Sequence, residues 1–259
     1  MDHREIYGEP AIYEIAFSYR DIPRQCDFLT EVCRLLAGQP PASVLELACG
    51  PAVHAREFAR RGAVATAMDI SPEMVAYAQA KLGEQGRAVV GDMAEFSVSP
   101  PVDLAFTLLD SLPYLTTNAR LISHLRSVRR SVRDGGVYVA ELRHPSDVFP
   151  GGERTTLDEW TIVAAEGLSV TTEWGVTVRY DPLAQTETVT SRLTVQKGDD
   201  RRVIESSGVL RPLMPQELLL LVDLAGGWRF GGWWGDFRID RPLGGSAQDW
   251  RMIVALQAV

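Results

Sequence analysis

Four strand-like apolar runs in the first half of the chain each end on an acidic residue. Glu46 sits at the end of the run 44–48, Asp69 closes 64–69, Asp92 follows 88–90 and Asp110 follows 103–109. Helix starts fall between them. Ile70-Ser71-Pro72-Glu73 places Ser71 as N-cap, Pro72 at the first helical position and Glu73 in the first turn. Strands that alternate with helices imply right-handed crossovers and a parallel sheet. In an open sheet of this kind ligands bind outside the carboxyl ends of the strands. The pattern therefore places four carboxylates along the one edge where a ligand sits.

The rest of the chain completes that fold. Residues 1–38 read as helices, with Ile12, Ile15, Ala16 and Tyr19, then Phe28, Leu29, Val32, Leu35 and Leu36, at helical spacing. Gly38, Pro40 and Pro41 stop the second of them. Helices are expected over 54–61, from Ser71 to Leu82, and over 117–132, the last closed by Asp134-Gly135-Gly136; a fifth strand is expected over 137–142. From 150 to about 211 the period becomes two, with β-branched residues such as Val170, Thr172, Val176, Val178, Thr188 and Val189, so this stretch reads as an antiparallel insertion. A helix opened by Pro215-Gln216-Glu217 and strands near 228–239 and 250–257 close the chain. The expected fold class is α/β: a doubly wound, mostly parallel seven-stranded sheet, Rossmann-like, with an antiparallel β insertion. The expected parts are 1–149, helices and the cofactor-binding α/β part; 150–211, the insertion; and 212–259, the closing helix and strands.

Composition narrows the function. The formal net charge of −8 provides no electrostatic footprint for nucleic acid or an anionic membrane. Arg126, Arg129, Arg130 and Arg133 gather on one helix, where a solvated face is the ordinary reading. Cys26, Cys33 and Cys49 form an odd set without metal-ligand spacing, so no metal is expected and a reducing compartment, the cytoplasm, is. Met1-Asp2-His3-Arg4-Glu5 lacks the apolar core of a signal peptide, and no run reaches the length of a membrane helix.

The turn after the first strand defines the ligand. Ala48, Gly50 and Ala52 are small at alternate positions, so a ligand can approach the backbone at a helix start. Asp69 lies about 20 residues on, the spacing of a carboxylate that takes ribose hydroxyls. Asp92 lies further along the edge, where an adenine amine could be held, and Ile70, Met74 and Met93 can sandwich a flat base. A dinucleotide is disfavoured. From Ala48 the fingerprint positions read Ala-Cys-Gly-Pro-Ala-Val, with Val53 in place of the last glycine and Pro51 lacking an amide donor. There is no Tyr-x-x-x-Lys pair and no P-loop lysine. An adenosine with a zwitterionic amino-acid tail fits better.

Glu46-Leu47-Ala48-Cys49-Gly50-Pro51-Ala52 resembles the first motif, [DE]-x-[GA]-x-G-x-G, of the class I S-adenosylmethionine-dependent methyltransferases. The resemblance covers about 42–145 and the closing helix and strands. Ala52 departs mildly from it. It implies that Ala48 and Gly50 line the methionine part of the cofactor and that Glu46 orients it indirectly. It further implies that Asp69 binds the ribose, Ile70 and Met74 lie against adenine, Asp92 meets the adenine amine, Met93 adds a backbone contact, and Leu108 and Leu109 run beside the sulfonium. Tyr13 and Tyr19, with Tyr7, are candidates for an aromatic lid. The product would be S-adenosylhomocysteine. Leu213-Met214-Pro215-Gln216-Glu217-Leu218 and Gly235-Asp236-Phe237 resemble the tail of small-molecule methyltransferases, whose insertions shape a substrate pocket or a homodimer contact. The partner is then a small-molecule acceptor. By position, the candidate bases are Asp110, Tyr114, Glu141 and His144, with His144 the best general base. Trp160, Trp174, Trp233 and Trp234 are candidates for a pocket wall. Two alternatives remain open: a nicotinamide-dependent oxidoreductase and a catalytically silent adenosine-binding protein.

Overall fold

The computed structural model describes residues 4–147, 158–244 and 249–259. Its elements are α1 (Arg4–Tyr7), α2 (Pro10–Ala16), α3 (Ile22–Ala37), β1 (Ser43–Leu47), α4 (Val53–Arg60), β2 (Val64–Asp69), α5 (Pro72–Leu82), β3 (Gly86–Val90), β4 (Val102–Thr107), α6 (Asn118–Ser131), β5 (Val132–Arg143), β6 (Asp158–Val163), β7 (Leu168–Asp181), β8 (Thr186–Lys197), β9 (Asp200–Leu210), α7 (Pro215–Ala225), β10 (Trp228–Trp234) and β11 (Arg251–Ala258). They fall into two compact units. One comprises 21–148 and 213–259, the other 1–20 and 149–212. Residues 1–20 thus group with the inserted strands, whereas the division at 149 put them with the α/β part. That division point, and Met1–His3, lie outside the described residues.

The larger unit holds a seven-stranded sheet in the order β10-β11-β5-β4-β1-β2-β3. The first five strands of the chain are parallel, and β11 runs antiparallel between β5 and β10. The expected fold class is the observed one. Alternate residues of each strand face opposite layers. Val44, Ala65, Ala67, Leu104, Phe106, Val137 and Val139 pack against α3, α4 and α5. Leu45, Leu47, Ala105, Tyr138, Ala140 and Leu142 pack against α6 and α7. Burial on both faces is why these strands read as near-continuous apolar runs.

Local chemistry sets the boundaries. The Ser71 hydroxyl accepts from the Met74 amide at 3.1 Å, and Gly38 ends α3 at φ +78°. Several boundaries differ from expectation, among them that of β10, which stops at Trp234 rather than near 239. Asp134-Gly135-Gly136 lies inside β5 rather than after α6, because the chain passes from helix to strand without a loop, with an irregular register between Val102 and Leu104. Strand β4 stops at Thr107, since Leu109 and Asp110 adopt left-handed φ values of +55° and +52°.

The arginines of α6 engage the chain's own acceptors. Arg126 donates to the Leu224 and Ala225 carbonyls at the C-terminus of α7. Arg129 donates to Val132 and Asp134, and Arg130 to Ser127. Arg133, expected on the same helix, lies instead in β5 and pairs with Asp103. These partners, rather than solvent alone, account for the cluster. No helix among the described residues is long and apolar enough to cross a membrane.

In the smaller unit, β6-β7-β8-β9 form an antiparallel meander. One face buries Val170, Val178, Val189, Leu193 and Val195. The other carries polar cross-strand pairs: Thr161 with Thr171, Thr190 with Ser207, and Arg192 with Glu173 and Glu205. Helix α2 is fastened by the Trp160 indole, which donates to the Ala16 carbonyl at 2.7 Å. Phe17 packs between Trp160 and Trp174, with ring centroids 5.5 and 6.0 Å away.

Asp103 joins β1, β4 and β5. One of its oxygens accepts from the Ala42 and Ser43 amides and the Ser43 hydroxyl, the other from Arg133. Burial works to raise its carboxyl, but these bonds together outweigh burial and hold it below the usual range. Asp103→Asn is therefore expected to cost roughly 1–3 kcal/mol at pH 7. A depressed folded-state pKa contributes stability above the unfolded value that is lost as pH falls through the folded one. Urea denaturation of both proteins should thus show the gap closing below about pH 4.

Candidate cofactor site at the carboxyl edge

The turn from β1 to α4 is held by two carboxylates. Glu46, only 4% exposed, accepts from the Ala55 amide in the first turn of α4 at 2.7 Å and contacts His54 Nδ1 at 3.0 Å. His54 Nε2 meets Gln25 of α3 at 2.7 Å. Asp69 accepts from the Gly50 amide at 2.7 Å and the Ser71 amide at 2.9 Å. The turn is wound left-handed, with φ of +49° at Ala48, +50° at Gly50 and +55° at Ala52. Non-glycine residues in this region store strain, and such residues cluster at ligand sites. They recur here at Leu109 and Asp110, one strand away on the same edge.

This arrangement tests the two cofactor classes. A pyrophosphate needs free amides in the turn. Here the Gly50 amide is committed to Asp69, the Ala52 amide to the Cys49 carbonyl at 2.8 Å, and Pro51 has none. The turn suits a ligand without phosphates. An adenosine fits further along. The Met93 amide has no hydrogen-bond partner among the described residues. Asp92 takes the Ala94 amide and Arg120 on Oδ1 but only Arg120 on Oδ2, so Oδ2 keeps an acceptor position. A free donor beside a free acceptor matches the ring nitrogen and amine of adenine. Ile70 is 68% exposed and can cover a flat base, whereas Met74, expected against the base, is fully buried.

Asp69 has an electrostatic signature. Burial raises its carboxyl above the ordinary range, against the Ser71, Gly50 and Ile70 amides that lower it. The cysteines behave as packing residues. All three are free and buried, and burial pushes Cys33 up to about 12 and Cys49 well above the usual thiol.

The candidate bases are engaged differently. Asp110 accepts from the Arg143 amide at 3.1 Å and its guanidinium at 2.7 Å; burial raises its carboxyl, and Arg143 opposes that. Buried Glu141 accepts from the Leu109 amide at 2.8 Å and pairs with Arg251 at 3.0 Å. Together they fasten the strained 109–110 turn. His144, just past β5, meets the Ser146 hydroxyl through Nδ1 at 2.7 Å, and that hydroxyl approaches Asp147 at 3.3 Å. Leu108 is buried beside the turn. Tyr13 and Tyr19 belong to the other unit, where Tyr13 stacks on Phe17 at 4.4 Å and Tyr19 on Trp160 at 5.5 Å. Trp160 and Trp174 lie in that same cluster. Trp234 is buried against Phe28.

The sequence reading missed Gln25, Arg120, Arg143 and Arg251. Each acts on a site residue from a distant segment, and no local spacing announces it.

Residues 44–136 match the family described as "Methyltransferase domain". Among curated proteins, dTDP-3-amino-3,4,6-trideoxy-alpha-D-glucopyranose N,N-dimethyltransferase of Streptomyces venezuelae is 25% identical over 125 residues, 48% of this chain and 52% of that protein. The chain spans about half the length of the curated relatives it matches. Among solved structures, Streptomyces venezuelae DesVI superposes with TM-score 0.78 at 17% identity, covering 100% of this chain and 99% of that one. The SAM-bound CalS10 of Micromonospora echinaspora, an amino pentose methyltransferase, gives TM-score 0.74 at 18% identity, covering 96% and 97%. At these identities the structural likeness is one of fold.

The raised Asp69 carboxyl sets a pH dependence. With ligand hydroxyls on Asp69, protonation removes an acceptor, so affinity for S-adenosylhomocysteine should fall on acidification at a pH above the range of an ordinary aspartate. For folding the sign is opposite: a carboxyl whose pKa is raised in the fold favours the folded state when protonated. Titration calorimetry and thermal unfolding on acidification should show binding lost without a matching fall in Tm.

Proposed function

We propose that this chain, whose residues 44–136 match the methyltransferase domain family and whose fold is shared with solved methyltransferase structures, moves a methyl group from S-adenosylmethionine to a nitrogen or oxygen of a small-molecule acceptor. The observation that carries the reading is the pairing of a turn whose Gly50 and Ala52 amides are already bonded with a free donor and acceptor at Met93 and Asp92. The sulfonium, when bound, supplies a methyl group already activated for in-line displacement. What the protein must then do is align and exclude water. Asp69 would hold the ribose hydroxyls, Ala48 and Gly50 would admit the amino-acid tail, and Leu108 and Leu109 would keep the reacting end dry. Glu46 acts through the α4 N-terminus that it fixes.

Acceptors that carry a proton need a base. His144 is the first candidate by position: its Nδ1 accepts from the Ser146 amide at 3.2 Å and lies 2.7 Å from the Ser146 hydroxyl, so Nε2 carries the proton of the neutral ring and Nδ1 is the accepting atom. Asp110 is the alternative, with its carboxyl raised by burial but held by Arg143. The three buried, unpaired cysteines support a reducing compartment such as the cytoplasm. An amino sugar is a reasonable first acceptor class, because dTDP-amino-sugar and amino-pentose methyltransferases are among the proteins this chain is similar to.

Parallel calorimetric titrations with S-adenosylmethionine, S-adenosylhomocysteine and NAD test the reading. Micromolar binding of the first two and none of NAD is expected; NAD binding alone would overturn it. Asp69→Ala should weaken S-adenosylhomocysteine about 10–100-fold, the loss of one or two charge-assisted hydrogen bonds. Once an acceptor is in hand, His144→Gln should lower kcat by about 100-fold or more with the cofactor KM unchanged. A kcat within twofold of wild type would transfer the role to Asp110 or leave the acceptor's own lone pair sufficient.

A further inference from the structure

Helix α6 carries Arg120, His124, Ser127 and Ser131 at spacings of four, three and four, which is one face of a helix. Each of the four bonds a successive part of the segment after β3. Arg120 holds the Asp92 carboxylate at 3.0 Å, and His124 Nδ1 meets the Met93 carbonyl at 2.7 Å. The Phe96 amide donates to the Ser127 hydroxyl at 3.3 Å, and the Val98 amide to Ser131 at 3.0 Å. His124, Ser127 and Ser131 are fully buried. A stripe of buried polar side chains on a helix costs desolvation unless every member is bonded. Here the partners lie on the 92–98 segment.

The His124 ring extends the connection. Its Nε2 lies 2.8 Å from the Tyr138 hydroxyl, which lies 2.9 Å from Thr107 at the end of β4. Burial holds the imidazole down at about 4, against the Met93 carbonyl and Asp92, so it is neutral at physiological pH. A neutral ring has one donor. A carbonyl can only accept, so Nδ1 carries the proton and Nε2 accepts from the Tyr138 hydroxyl. Thr107 must then donate to the Tyr138 oxygen. Every member is satisfied in one direction only.

We propose that this stripe, with His124 at its centre, is the positioning device for adenine recognition: it registers the Asp92 acceptor and the Met93 amide donor against each other and against the end of β4. The proposal rests on the cofactor reading above. His124 touches no ligand and acts through the Met93 peptide. With its carbonyl pinned, the segment presents its free amide and Asp92 Oδ2 in one fixed spacing, which selects a base with an acceptor beside a donor.

The test is the ratio of affinities for S-adenosylhomocysteine and S-inosylhomocysteine. Hypoxanthine reverses adenine's acceptor–donor pair, so wild type should prefer adenine by at least about 100-fold. In His124→Leu the preference should fall below about 10-fold, and in Tyr138→Phe it should fall several-fold. His124→Asn, whose side-chain amide can still donate to the Met93 carbonyl, should restore most of it. A merely structural role would lower stability and leave the ratio alone. An unchanged ratio in whichever of the leucine and phenylalanine variants unfolds cooperatively would overturn the proposal. Failure of wild type to bind either ligand would instead refute the cofactor reading on which it depends.

Discussion

A carboxylate cannot stay buried without donors. Glu46, almost fully enclosed at the end of β1, needs them, and the first turn of α4 supplies the Ala55 amide and the His54 ring. This requirement fixes where α4 begins. The five residues between strand and helix must then turn sharply, which is why Ala48, Gly50 and Ala52 are left-handed and small. The turn brings the Gly50 amide onto Asp69, tying β1 to β2. One buried charge thus sets the helix, the strained turn and the spacing between two site carboxylates.

The acidic residues of this edge do not all do the same work. Glu46 and Glu141 point inward and hold backbone amides of the β1 and β4 turns. Asp69 and Asp92 also bond amides but keep acceptor positions outward. Asp110 is paired with Arg143. Division of labour follows from burial: the deeper carboxylates shape the backbone, and the shallower ones keep the outward lone pairs that the proposed cofactor contact uses. The strand-end pattern therefore marks an edge, and hydrogen bonding within it separates scaffold from contact.

Much of the fold was legible in the sequence. β2 and α5 match their expected bounds, because Ser71-Pro72-Glu73 is a complete helix start and Asp69 a clear strand end. The seven-stranded sheet and the antiparallel insertion follow from periodicity alone. Less legible was whatever depends on partners far along the chain. Glu141 looked like a candidate base and turned out to brace a turn, together with Arg143, which the sequence did not announce. The arginines of α6 looked solvated and are bonded to α7 and to β5, while Arg133, expected on the same helix, lies in β5 and pairs with Asp103. His124, Ser127 and Ser131 passed as ordinary helix residues, since a polar side chain on a buried face is visible only once its partner is known. The grouping of 1–20 with the inserted strands rests on Phe17, Trp160 and Trp174, whose mutual packing spans more than 140 residues of sequence.

The stripe on α6 gives that helix a rotational phase. Each residue of an α-helix turns it by about 100°. A single residue inserted between His124 and Ser127 would leave Arg120 and His124 facing Asp92 and Met93 and carry both serines about a quarter turn away from the Phe96 and Val98 amides. Most helices on a sheet tolerate some slippage, because apolar contacts are interchangeable. This one is keyed, so its length between Arg120 and Ser131 can change only by whole turns.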